Sequence, residues 1–379
     1  MIREDIYRKS KDYFLKPVSA LMNDDSVSEI MIVGHESIYF ERAGKLHQAD
    51  TSFGSESRLL AAVRNIGEYV GTRIDESTHS MDARLPTGER IHAIIPPASR
   101  NGTCLTIRKF NPAGFTLSDL VDCGSMSPSA MEFLGLCVSL KKNIVISGGT
   151  GTGKTSMLNA LSTEIAEDER VVVIEDTSEL RLKQKHTVYL EAQHGDGERS
   201  PKVTIRDLLV DSLRMRPDRI VVGEVRRGEA LDLIQSMITG HAGSLTTVHA
   251  NTPRDAATRL ETLCLMSDVV LPVYVARTQV ASAVDIVIQI ERFSDGSRKV
   301  RTISEVLGLD ATAGNEYIIK QLYEFEADGL DENEKIVGDL NETGELPSFS
   351  SEPFKMGLAS RVKNSKNLFV APKNSKDES

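Results

Sequence analysis

Several absences narrow the class of this chain. Its four cysteines, Cys104, Cys123, Cys137 and Cys264, never form a C-x-x-C pair. That spacing disfavours a zinc site and a disulfide framework, and it predicts that they serve as buried small apolar residues. No apolar run is long enough to cross a bilayer. The most apolar late stretch, Val269 to Ile290, is broken by Pro272, Arg277 and Asp285. The opening Met1-Ile2-Arg3-Glu4-Asp5 lacks the apolar core of a signal peptide, so the expected location is the cytoplasm. Positive charge is in deficit: 45 Lys and Arg against 55 Asp and Glu give a formal net charge of −10. That balance argues against broad binding along a phosphate backbone, although a local basic patch stays open. No internal repeat is present. What remains is a 379-residue chain of ordinary soluble composition, long enough for about two domains with a core each.

The strongest positive signal is Gly148-Gly149-Thr150-Gly151-Thr152-Gly153-Lys154-Thr155, a full G-x-x-x-x-G-K-T loop followed by Ser156 and preceded by the apolar run Asn143 to Ser147. Glycines let such a loop wrap until several backbone N–H groups aim at phosphate oxygens. Lys154 can neutralise the β and γ phosphates, and the Thr155 hydroxyl can ligate Mg²⁺. A helix starting near Lys154 adds the positive end of its dipole. The bland alternative is a flexible turn between a strand and a helix. The strand and helix context favours a nucleoside triphosphate.

Short alternating runs dominate from Ser28 to about Phe110: residues 29–33, 37–41, 90–95 and 103–108 read as strands, and Ser57 to Tyr69 carries helical spacing. An α+β domain over 1–110 follows, then a connector over 111–128 ending in a helix cap at Ser127-Pro128. From Ser129 onward helical patterns alternate with β-branched runs at 143–147, 171–175, 220–223 and 245–248. This alternation predicts an α/β domain over 129–350, with a mainly parallel sheet and helices on both faces. Tyr317 to Phe325 can pair as a strand, while 351–379, rich in Lys, Asn and Ser beyond Arg361, is expected to be a mobile tail.

Three more segments bear on the chemistry. Val171-Val172-Val173-Ile174-Glu175-Asp176 is an apolar strand ending in two carboxylates, either of which could polarise a water, or which form a solvated strand end. Arg219-Ile220-Val221-Val222-Gly223-Glu224 resembles a Walker B strand in which Gly223 stands where the usual Asp would be, so Glu224 carries the charge for Mg²⁺. Gly240 to Asn251 contains His249 just after a strand, as either a structural or a catalytic histidine.

These boxes, in this order, resemble the secretion traffic ATPases, the superfamily behind type II and type IV secretion, conjugation and pilus assembly. Residues 81–88, 105–110, 213–218 and 325–333 resemble its CpaF-like branch, which serves tight-adherence pili; the likeness spans roughly 27–350. The resemblance implies a RecA-like P-loop domain behind a smaller, PAS-like α+β domain, and a homo-hexamer that hydrolyses ATP with Mg²⁺. It also implies peripheral attachment to the inner membrane through platform proteins. By the same resemblance Glu175 polarises water, Glu224 coordinates Mg²⁺ with Thr155, and His249 senses the γ phosphate. Arg84, Arg90 and Arg108 reach the nucleotide, often across a subunit boundary; their alternative role is ordinary charge on a strand face. Two departures bear on the docking platform: the chain starts close to its first domain, and it has no four-cysteine metal motif. The rival readings are a RecA-like nucleic-acid motor, disfavoured by net acidity and by the lack of an aromatic, basic strand-binding platform, and a small-molecule kinase.

Overall fold

A computed structural model describes residues 13–42, 44–85, 88–109, 114–193 and 202–372. The chain divides into two compact units, Met1–Pro112 and Ala113–Ser379.

In the first unit, β1 (Val27–Val33), β2 (Ser37–Arg42) and β3 (Lys45–Gln48) precede helix α1 (Glu56–Val70). The strands β4 (Ser80–Arg84), β5 (Arg90–Ile94) and β6 (Cys104–Arg108) follow. They form one antiparallel sheet in the order β3-β2-β1-β6-β5-β4. Period-two alternation sends Ile30, Ile32, Ile38, Ile91, Leu105 and Ile107 into one core with Leu59, Val63 and Ile66 of α1. The Ser55 hydroxyl caps α1 by accepting the Arg58 N–H, and Gly71, at φ 77°, ends it in the left-handed conformation that glycine adopts without strain.

The second unit opens with α2 (Leu117–Asp122) and α3 (Pro128–Ser139). Then come β7 (Ile144–Gly148), α4 (Lys154–Ser162), β8 (Val171–Glu175), β9 (Thr187–Glu191), α5 (Ile205–Ser212), β10 (Arg219–Val222), α6 (Glu229–Ile238), β11 (Leu245–Val248), α7 (Pro253–Leu265) and α8 (Val273–Ala283). Next come β12 (Ile286–Arg292), β13 (Arg298–Asp310), β14 (Glu316–Leu330) and β15 (Ile336–Glu342), followed by a short helix, Glu352–Lys355, and two 3-10 turns. All nine strands form one sheet, β15-β14-β13-β12-β7-β11-β10-β8-β9, parallel from β12 to β9 and antiparallel beyond β12. Both faces of the parallel part are covered. On β7, Ile144 and Ile146 join the core built with α3 and α4, while Val145 joins the one built with α6, α7 and α8. Parallel register puts every strand's carboxyl end at one edge, where α/β sheets gather ligands.

Three expectations are corrected. The predicted connector is partly core: a capping box between Thr116 and Asp119 starts α2, and Leu117, Leu120 and Met126 are buried against the sheet. The predicted tail is anchored over its described part, 351–372. Leu368 and Phe369 are buried beside Phe133 and Phe349, and the Glu132 carboxylate accepts the backbone N–H groups of Lys363, Asn364 and Ser365. Residues 373–379 lie outside the described residues. Of the cysteines, only Cys137 and Cys264 are buried, whereas Cys123 is exposed. Among the described residues, no helix is long and apolar enough to cross a membrane.

Candidate functional site

At the carboxyl edge of the parallel sheet, Gly148 to Thr155 turns from β7 into α4. Gly148 has to be glycine: a Cβ there would lie 2.6 Å from Thr152 Oγ1 and 2.7 Å from the Ile290 carbonyl oxygen. Gly151 and Gly153 hold positive φ, +71° and +98°, which curls the loop over the start of α4. Thr150 is exposed at its tip, and the Thr152 hydroxyl donates to the Gly149 carbonyl at 3.0 Å. Lys154, Thr155 and Ser156 form the first turn of α4, where backbone N–H groups have no intrahelical acceptor and point outward as anion donors.

The Lys154 ammonium is buried and donates to the carbonyls of Gly148 (3.0 Å) and Gly149 (2.7 Å). It also faces Nδ1 of His249, just beyond β11, at 3.4 Å. An ammonium can only donate, so Nδ1 accepts and the ring proton sits on Nε2, which is 2.9 Å from Glu224 Oε1. Burial, and next the Lys154 charge, hold the His249 pKa below its ordinary value, so the neutral tautomer is favoured. Glu224 Oε2 accepts from Arg226 at 2.6 Å, and Arg226 also reaches Asp176 at 3.2 Å. The loop lysine, the histidine and the acid after β10 thus form one connected chain.

Glu175, the last residue of β8, is 3 % exposed. Its Oε1 accepts the N–H groups of Glu179 (2.8 Å) and Leu180 (3.0 Å), while Oε2 has no hydrogen-bond partner among the described residues. Burial pushes its pKa up to about 7 despite those two donors. Gly223 explains itself here: a Cβ at that position would sit 3.1 Å from Glu175 Cγ, so the missing side chain on β10's end makes room for the neighbouring acid. The ensemble offers a cation and amide cradle for phosphates, hard oxygen donors in Thr155 and Glu224 that suit Mg²⁺, and a buried carboxyl whose proton can leave near neutrality.

Residues 12–320 match the family model described as Type II/IV secretion system protein. This chain belongs to that family. It is therefore an ATPase. The ATPase is 32% identical over 329 residues to the conjugal transfer protein TrbB of Rhizobium radiobacter, covering 85% of this chain and 96% of that one. It is 33% identical over 325 residues to the type IV secretion system protein VirB11 of Bartonella henselae, covering 76% and 91%. In fold it is similar to the Yersinia pseudotuberculosis ATPase DotB, with a TM-score of 0.55 at 16% identity, over 77% of this chain and 78% of that one.

The ATPase brings Lys154, Glu224 and His249 into contact and sets Glu175 beside Gly223. Arg84, Arg90 and Arg108 belong to the first unit. There β4, β5 and β6 pair Arg84 with Arg90 and Arg90 with Arg108, so the three share the sheet face away from α1. Glu29 of β1 lies across from Arg108, and Asp82 is 3.8 Å from Arg90. Sequence reasoning missed Arg226 as a site residue. Its position two residues after Glu224 was the available signal, because both project from one short turn.

Proposed function

We propose that this ATPase powers a type IV secretion or conjugation machine, working as a homo-hexamer on a membrane-embedded platform that it reaches through partners. The supporting observation is the hydrogen-bonded chain from Lys154 through His249 to Glu224, which ties the phosphate loop to the end of β10 and β11. ATP would place its phosphates on the loop amides and Lys154, with Mg²⁺ held by Thr155 and, directly or through water, by Glu224. Mg²⁺ held there would supply positive charge against the phosphates. Glu175 orients and polarises the attacking water, and His249 registers whether Lys154 has turned to a γ phosphate. Each hydrolysis cycle would be converted into movement of the machine.

Arg84, Arg90 and Arg108 are proposed to complete a neighbouring subunit's site. Their cross-strand register gathers three guanidinium groups on one sheet face, a donor set that suits a phosphate chain. Within the family we favour the CpaF-like branch on residues 81–88, 105–110, 213–218 and 325–333, of which 86, 87 and 110 lie outside the described residues. The names of the relatives favour conjugation or type IV secretion as the process. ATP turnover measured alone, with single-stranded DNA, and with membranes carrying the platform protein tests the assignment. Stimulation by the platform membranes is expected. Stimulation by DNA alone would move the protein to the nucleic-acid motors.

A further inference from the structure

Glu224 has two claimants. Its Oε2 is held by Arg226 at 2.6 Å and its Oε1 by His249 at 2.9 Å, yet the same carboxylate is the acid that would face Mg²⁺. We infer that Arg226 competes with Mg²⁺ for Glu224, so that the metal is captured only together with a nucleotide that supplies its remaining ligands. The inference rests on the nucleotide-site reading above and names one more positioning residue for it.

The local build permits such an exchange. Arg226 lies on the short turn between β10 and α6, and that turn is fixed: the buried Glu229 carboxylate accepts the backbone N–H groups of Arg226 (2.8 Å) and Arg227 (2.9 Å). Movement is therefore a rotation of the side chain alone. A second acceptor is already in reach, since Asp176 Oδ2 on the neighbouring strand end is 3.2 Å from Arg226 Nη1. The guanidinium can slide from Glu224 toward Asp176 without losing every anionic partner, and at 48% side-chain exposure it meets little desolvation on the way. Mg²⁺ dehydrates reluctantly and is held by one or two carboxylates only together with substrate phosphates, so a lone ion does not displace a charge-assisted hydrogen bond. A triphosphate brings several oxygens at once and tips the balance.

Removing the guanidinium should therefore tighten metal capture and leave nucleotide binding without metal largely unchanged. The test uses the full chain and a fluorescent, non-hydrolysable ATP analogue, titrated with Mg²⁺ and separately bound in EDTA. For Arg226→Ala the half-saturating Mg²⁺ concentration should fall on the order of threefold to tenfold, the range of a partly exposed charged pair. Arg226→Lys keeps the charge but cannot bridge both carboxylates, so it should fall between; it also serves if the alanine variant does not fold. In a Glu224→Gln background the effect of either change should vanish, because the contested carboxylate is gone. An unchanged or higher Mg²⁺ requirement in Arg226→Ala, or the same shift in the Glu224→Gln background, would overturn the inference. Failure of the parent chain to bind the analogue at all would instead overturn the nucleotide-site reading.

Discussion

Glu175 carries a carboxyl group that burial pushes up to about 7, against an ordinary value of 4.5. If the carboxylate polarises water, kcat/KM should climb as pH rises through about 7 and level off above it, since the free enzyme needs the ionised form. A profile flat from pH 6 to 8 would remove that role. Glu175→Gln should abolish turnover yet keep MgATP binding. The stability sign runs the other way. The unfolded chain loses this proton first, so the stabilisation from protonated Glu175 is complete below about 4.5 and is lost as pH rises toward about 7. At Lys154 the expectation is simpler: Lys154→Ala should lose nucleotide binding and hydrolysis while its far-UV spectrum stays native, because the ammonium's contacts with the Gly148 and Gly149 carbonyls and His249 lie in the loop and its surroundings, outside the hydrophobic cores. Normal turnover in that variant would end the motor assignment. These residues were legible in the sequence because phosphate chemistry demands them at fixed spacing. Arg226 was not, since an arginine near an acid in sequence reads as an ordinary surface pair that contributes little.

Elements with undiluted periodicity were legible. Ser57 to Tyr69 became α1, and the apolar runs became β7, β8, β10 and β11, because strands buried on both faces need continuous β-branched residues. β14 was legible only over Tyr317 to Phe325, while β13 and β15 were missed: buried Lys299, Thr302, Ser304 and Glu305 break the apolar run of β13, and the polar exposed positions of β15 break its alternation. The segment 351–372 misled for a different reason. Its attachment uses backbone N–H groups on Glu132 and the apolar side chains of Phe354, Leu358, Val362, Leu368 and Phe369, scattered among polar residues without a period that would register as an element. Leu368→Ala should therefore cost about 2–5 kcal/mol in denaturant unfolding of the second unit, the range for a buried leucine. Val370→Ala, at an exposed position, should stay within about 0.5 kcal/mol. Equal, small effects would restore the mobile-tail reading. In the first unit, Arg90→Ala removes the middle of the arginine row and should lower ATP turnover while changing that unit's stability by no more than about 1 kcal/mol, since its half-exposed partner Asp82 is 3.8 Å away. A larger loss of stability with unchanged turnover would show that the row serves the fold and not the nucleotide.

On the scale of the whole molecule, the acid and the arginines are proposed to meet across a subunit boundary, and a ring makes that claim measurable. An isolated subunit lacks charges whose counterparts elsewhere contribute on the order of 10³ to 10⁵ in rate, so turnover per chain should rise steeply with protein concentration. The most direct test mixes two inactive chains, Arg108→Ala and Glu175→Gln. Mixed rings contain interfaces at which an intact Glu175 meets an intact Arg108 from the adjacent subunit, so ATP turnover should reappear on mixing and be greatest near equal proportions. If no mixture of the two exceeds the activity of either alone, while both variants assemble with each other, the arginines do not act across the boundary and the shared-site account is wrong.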